Sequence, residues 1–159
     1  MARHQQRQYR QSTTVLHIHA GRRHYGGYIS VGESARADGT LYFDAPAKFL
    51  GDKRKAYNGV FRFDFRHSAA DLPDRWFQAN DVIIAGTNVT VAYRVFTQFP
   101  TTNWTTFEIP LTESVGWIRV GSNRLATAEE MVSALQSIQY LRIRAEWTDT
   151  TPTVPTWTT

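Results

Sequence analysis

The 159-residue chain contains no cysteine. That absence removes disulfide frameworks, thiol nucleophiles and thiolate metal sites together, and points to synthesis in a cytosol. Also missing is any apolar run near the roughly 18 residues that a membrane-spanning helix needs. The first residues, MARHQQRQYRQ, are basic and polar with no apolar stretch behind them, so no secretory signal is expected. There is no Gly-x-Ser-x-Gly elbow, P-loop, EF-hand loop or dinucleotide fingerprint. Acidic residues are absent from positions 1–32, which hold Arg3, Arg7, Arg10, Arg22 and Arg23 and four of the five histidines. Removing those five arginines from the 18 basic residues leaves 13 against 14 acidic residues, a balance of −1. The net charge of +4 therefore resides in an N-terminal arm. Such an arm either contacts something acidic, whether nucleic acid, a phosphate-rich surface or an acidic subunit, or is a solvated tail. The body's charge balance disfavours nucleic acid there.

What is present describes a folded chain. Hydrophobic residues make up 42% and aromatics 13%, enough for one domain with a core. VFRFDFR (60–66) sets Phe61, Phe63 and Phe65 against Arg62, Asp64 and Arg66, a strand with one buried face and one wet face. TTVLHIH, GGYISVGES, TLYFD, DVIIAG, NVTVAYRVF, WTTFEIPL, GWIRV and YLRIRAEW read as further short strands between turns. In the last of these, Leu141, Ile143, Ala145 and Trp147 share the dry face, and Arg142, Arg144 and Glu146 the wet one. One helix interrupts them: Thr127 is its N-cap, Glu130 completes a capping box, and Met131, Leu135 and Ile138 recur at helical spacing. Between strands, Pro46 ends one, Phe49 and Leu50 plug the end of the core, Gly51 permits a turn, and the charges Asp52–Lys55 sit at a solvated tip. These elements predict an all-β antiparallel sandwich (13–148) with one short helix, a basic arm (1–12) and an extended Thr/Pro-rich tail (149–159).

The inventory for chemistry is thin. Any pair among the 14 acidic residues could arise by accident, so no catalytic residues are assigned and no enzyme is expected. His17 and His19 share a strand face and His24 lies nearby, but a basic arm explains them without a metal. No cofactor is assigned, although a structural calcium held by loop carbonyls and an Asp would leave no readable mark. Two sequons, Asn88-Val89-Thr90 and Asn103-Trp104-Thr105, read as accidental for a chain without a secretory signal. Among five tryptophans, Trp117 and Trp147 fit strand cores. Trp76 and Trp104 sit in loop-like contexts and are candidates for stacking on a sugar ring, and Trp157 in the tail is a candidate partner anchor.

The blocks YFDAPAKFLGDKRKAYNGVFRFDF, DVIIAG, IPLTESVGW and ATAEEMVSALQSIQYLRIRAEW follow one another in an order and spacing that resembles the laminin IV type A module, also called the laminin B domain. The resemblance covers roughly residues 40 to 147 and implies a jelly-roll β-sandwich like carbohydrate-binding modules, with a structural and interaction role and no catalysis. No ligand residues transfer, because the matching motifs are framework. Laminin modules lie in cysteine-rich secreted chains, unlike this one.

A small sandwich with no signal and with extended ends suits a subunit docked on a large assembly. The expectation is a virion component, such as a capsid decoration or tail accessory protein. Its own copies and a shell or scaffold protein would be its partners, contacted through Arg3, Arg7, Arg10, Arg22, Arg23 and Trp157. The alternative is a glycan-binding or adhesive module of an extracellular surface, using Trp76 and Trp104.

Overall fold

The structure is a computed structural model that describes residues 40–66, 79–95 and 100–145, together with the backbone of two further strands. In chain order the strands are β1 (His17–His19), β2 (Tyr28–Ser30), β3 (Tyr42–Asp44), β4 (Val60–Phe65), β5 (Val82–Ala85), β6 (Thr90–Tyr93), β7 (Thr105–Pro110) and β8 (Ile118–Arg119). Helix α1 (Ala128–Gln136) and β9 (Tyr140–Arg144) close the list. The chain divides into two units, one of residues 1–39 with 151–159 and one of residues 40–150. In the first, β1 and β2 form an antiparallel hairpin with Ile18 opposite Ile29. The remaining elements belong to the second.

That unit is built from antiparallel pairs throughout: a sheet of order β3-β9-β5-β6-β8 and a two-stranded sheet, β4-β7. Val82, Ile84, Val91 and Leu141 from the first sheet meet Ile109 from the second, and Leu111, Trp117, Met131, Ala134, Leu135 and Ile138 complete the core. An antiparallel β-sandwich with a single helix is thus what forms among the described residues, as the alternation predicted. Trp117 is fully buried, and its indole N–H donates to the Pro110 carbonyl at 2.8 Å, which satisfies its one polar atom. The Phe43 and Phe65 rings, one from each sheet, meet edge-on at 6.3 Å.

Strand register gives the sandwich two ends. Ala85 pairs with Thr90 and also with Tyr140, which places the β5–β6 turn, α1 and the start of β9 together. Gly86 lies so close to α1 that an added Cβ would stand 2.9 Å from Ala134 Cα. Val60 and Pro110 lie at this end too, because Gly59 O accepts from Leu111 N and Lys53 N donates to Leu135 O. Asp81, Arg144, Phe65 and Thr105 lie at the other end.

Four local expectations change or sharpen. Phe61, Phe63 and Phe65 do share a face, but they are half-buried. The deep positions go instead to Phe107 and Ile109 on β7, with Phe63 stacked on Phe107 at 5.1 Å. Phe49 does not plug the core: the Ala47–Phe49 turn leaves it 39% exposed beneath the Lys48 ammonium, and Leu50 alone packs inward. Asp52–Lys55 is the solvated tip expected, exposed except for half-buried Lys53, but it is also tied down. It leads into a 3-10 turn (Arg54–Ala56) anchored to the end of α1 by the Lys53 N–H. Finally, Arg144 is 3% exposed although it alternates with Ile143 on β9, because it pairs with the equally buried Asp81.

Candidate interaction surface

All three lysines of the chain, Lys48, Lys53 and Lys55, fall within eight residues. The segment that carries them is held at several points. Leu50 N donates to Ala47 O, Gly51 and Ile138 exchange two backbone hydrogen bonds, and Lys53 N donates to Leu135 O. Gly51 adopts φ 76°, a left-handed conformation that a side chain would strain. Arg54 in the same turn is neutralised by Asp52 through bonds of 2.6 and 3.0 Å, which hold the Asp52 carboxyl below the usual aspartate range.

Most of the other described cations are neutralised too. Arg62 pairs with Glu108, Arg119 and Arg124 with Glu130, Arg142 with Asp44, and Arg144 with Asp81. Among the described residues no carboxylate pairs with Lys48, Lys53 or Lys55. The turn is therefore a pre-positioned patch of unneutralised charge beside the exposed Phe49 ring. Part of that charge has a local use, since α1 has no basic residue in its last turn and its C-terminal carbonyls attract cations.

Polar groups elsewhere are committed to the fold. Asp81 and Arg144 are each 3% exposed, with Arg144 Nη1 3.0 Å from Asp81 Oδ1 and the Val95 N–H donating to Oδ2 at 2.6 Å. Burial holds the Asp81 carboxyl above the ordinary aspartate range, against the pull of Val95 and Arg144. Next to it the Tyr42 hydroxyl donates to Asn80 O at 2.9 Å and is itself raised by burial. At the α1 end the Tyr57 hydroxyl donates to Glu113 at 2.6 Å, which raises the phenol and lowers the carboxyl. Thr106 donates to Asp64, and Glu129 is lowered by backbone and Thr127 hydrogen bonds. Each described carboxylate thus serves a cap, a turn, an ion pair or a hydroxyl hydrogen bond. Among the described residues no three His, Asp or Glu side chains gather as metal ligands, and no helix is long and apolar enough to cross a membrane.

Of the residues expected to act, Trp104 alone lies among those described. It is half-buried at the start of β7, with the Arg66 guanidinium 5.4 Å from its ring centroid. Arg3, Arg7, Arg10, Arg22, Arg23, Trp76 and Trp157 lie outside the described residues, as does His24. The lysine turn was visible in the sequence as a charge run. What could not be read there is that it is rigid and unneutralised, since its anchors come from Leu135 and Ile138, more than 80 positions away.

Residues 42–154 match the profile of the family described as Laminin B (Domain IV). The chain is 32% identical to the basement membrane proteoglycan of Caenorhabditis elegans over 117 residues, which is 74% of this chain and 3% of that protein. It is 40% identical to laminin subunit gamma-2 of Equus caballus over 58 residues, 36% of this chain and 5% of that one. The chain therefore spans only a small fraction of either relative. Among solved structures, the L4b domain of human laminin alpha-2 superposes with a TM-score of 0.57 at 23% identity, covering 69% of this chain and 61% of that one, a likeness of fold. These relatives are basement-membrane and laminin chains, and they overturn two expectations. A virion decoration or tail protein docked on a shell or scaffold is not supported, and neither is a cytosolic origin. The absence of cysteine and of a leader-like stretch misled because neither reports where the domain works, and the relatives carry the domain within far longer proteins.

Proposed function

Because the chain belongs to the laminin B (domain IV) family, we propose that it is a non-enzymatic structural and adhesive module of an extracellular matrix protein. The observation that carries this reading is the profile match across residues 42–154, which takes in the whole described sandwich. Two features of the site support it. The described carboxylates are engaged in structural contacts, so none of them is left over as a free acid–base pair. The unneutralised lysines sit on a rigid turn next to an exposed aromatic ring, an arrangement suited to holding an acidic partner in the matrix. Arg3, Arg7, Arg10, Arg22 and Arg23 near the N-terminus and Trp157 in the tail, with Trp76 and Trp104, remain candidate contacts of the same module.

The test is to secrete the full chain from cultured cells behind an added leader and to measure its division between detergent-insoluble matrix and medium. Retention in the matrix is expected. The triple variant Lys48→Gln, Lys53→Gln, Lys55→Gln should move into the medium, most visibly at moderate salt, where exposed charges are already partly screened. A parent chain found wholly in the medium would overturn the adhesive reading.

A further inference from the structure

We propose that Asn88 and Asn103 are acceptor sites for N-linked glycans, one at each end of the sandwich. The two sequons read as accidental only while the chain was expected to bypass secretion. The inference rests on the extracellular reading above, but its geometry is independent of it.

Both asparagines are exposed, and among the described residues neither carboxamide has a hydrogen-bond partner. That sets them apart from Asn80, whose side-chain oxygen accepts from Arg94. Asn88 lies in the turn joining β5 to β6, which the Gly86 N–H closes by donating to Val89 O at 2.8 Å. Asn103 lies in a turn leading into β7, where its N–H donates to Thr101 Oγ1 at 3.1 Å. In both sequons the middle residue, Val89 or Trp104, is half-buried and the threonine opens a strand. The asparagine is therefore presented outward on a fixed turn just before extended chain. The Thr105 hydroxyl donates to Asn103 O at 3.3 Å, which holds the third residue of that sequon over the first.

A second observation concerns the surface next to Asn88. Val120 N donates to Thr90 O, so the hairpin carrying Val120 and Leu125 runs beside this sequon. Those two residues, 42% and 64% exposed, are half of the large apolar side chains left exposed among the described residues. A glycan core on Asn88 would lie within reach of them and shield them from water.

The step itself is a glycosyl transfer without redox change. The Asn Nδ2 bonds to the anomeric carbon of a lipid-diphosphate oligosaccharide, the donor of the secretory pathway. The bond from that carbon to the diphosphate oxygen breaks, the lipid diphosphate leaves with the electron pair, and one amide proton passes to a base of the transferase.

For the experiment, the full chain is secreted from eukaryotic cells behind an added leader, then treated with peptide N-glycosidase and followed by gel mobility and peptide mass. Two glycosidase-sensitive steps are expected, with Asp replacing Asn at 88 and 103. N88Q and T90A should each abolish one step, N103Q and T105A the other, and N88Q/N103Q both. T90A and T105A keep the asparagine, so they separate loss of the acceptor from misfolding. A secreted chain with no glycosidase-sensitive mass would overturn the proposal, and a single step would overturn it for the unmodified asparagine. Matrix retention is measured separately, so failure of the adhesive reading and failure of glycosylation give different results.

Discussion

At the α1 end of the sandwich, charge is handled near the surface and over short range. Arg54 is tied to Asp52, Arg124 to Glu130, and Thr127 and Glu130 cap the helix reciprocally. At the opposite end the Asp81–Arg144 pair is buried between strands, and the Val95 backbone N–H also donates to the Asp81 carboxylate. Exposed pairs cost little to make and stabilise little. A buried pair costs several kcal/mol per ion in desolvation, and the harm comes when one partner is lost. The α1 end can therefore vary its charges and remain folded, as a contact surface must, whereas the other end cannot.

The comparison is best broken by removing one member of the buried pair. Asp81→Ala removes the buried carboxylate that Arg144 Nη1 contacts at 3.0 Å and should cost about 3–5 kcal/mol in urea-induced unfolding. A loss below about 1 kcal/mol would put the pair in the same class as the surface pairs. Next in size, Gly86→Ala sets a methyl against the α1 backbone, where Ala134 O is also 2.9 Å away, and should cost about 1–3 kcal/mol as the helix shifts. An unchanged unfolding midpoint would mean that the helix is not seated this tightly. Thr127→Ala removes the N-cap acceptor of the Glu130 N–H and should cost about 1 kcal/mol, with Thr127→Ser restoring most of it.

The smallest effect separates the two ends by sign. Glu130 is held below the ordinary glutamate value of about 4.3, chiefly by Arg124, so its contribution is present above that value and lost as pH falls through the depressed one. Asp81 is raised by burial, so its contribution is fully present below the ordinary aspartate value of about 3.9 and lost as pH rises through the raised one. Followed by urea midpoints between about pH 3 and 7, Glu130→Gln should flatten the loss of stability on acidification and Asp81→Asn should steepen it. Equal slopes in the two variants would contradict the assignment of opposite shifts.

Much of the architecture was legible because it is written locally. Alternation at Val60–Phe65, the capping box at Thr127–Glu130 and the short apolar run at Val82–Ala85 each report which side of an element is dry, and a side-chain period is a property of neighbouring residues. Depth was not legible. Phe63 is half-buried and Phe107 fully buried although they pair directly, because burial depends on what covers each strand from elsewhere. Arg144 read as wet for the same reason, since nothing in YLRIRAEW announces an aspartate 63 positions earlier. The interaction surface was half legible: the run Asp52–Lys55 is plain in the sequence, and its rigidity is not.

By itself, then, the sequence determined the strands, the one capped helix and the motif order shared with the laminin B family, all set by residue spacing along the chain. Only the tertiary structure decided that the Asp81–Arg144 pair is sealed inside, that Lys48, Lys53 and Lys55 stand on a braced turn with no ion pair among the described residues, and that Asn88 and Asn103 occupy opposite ends. Each of these depends on strand register and on contacts between residues distant in sequence, and spacing along the chain carries no record of them.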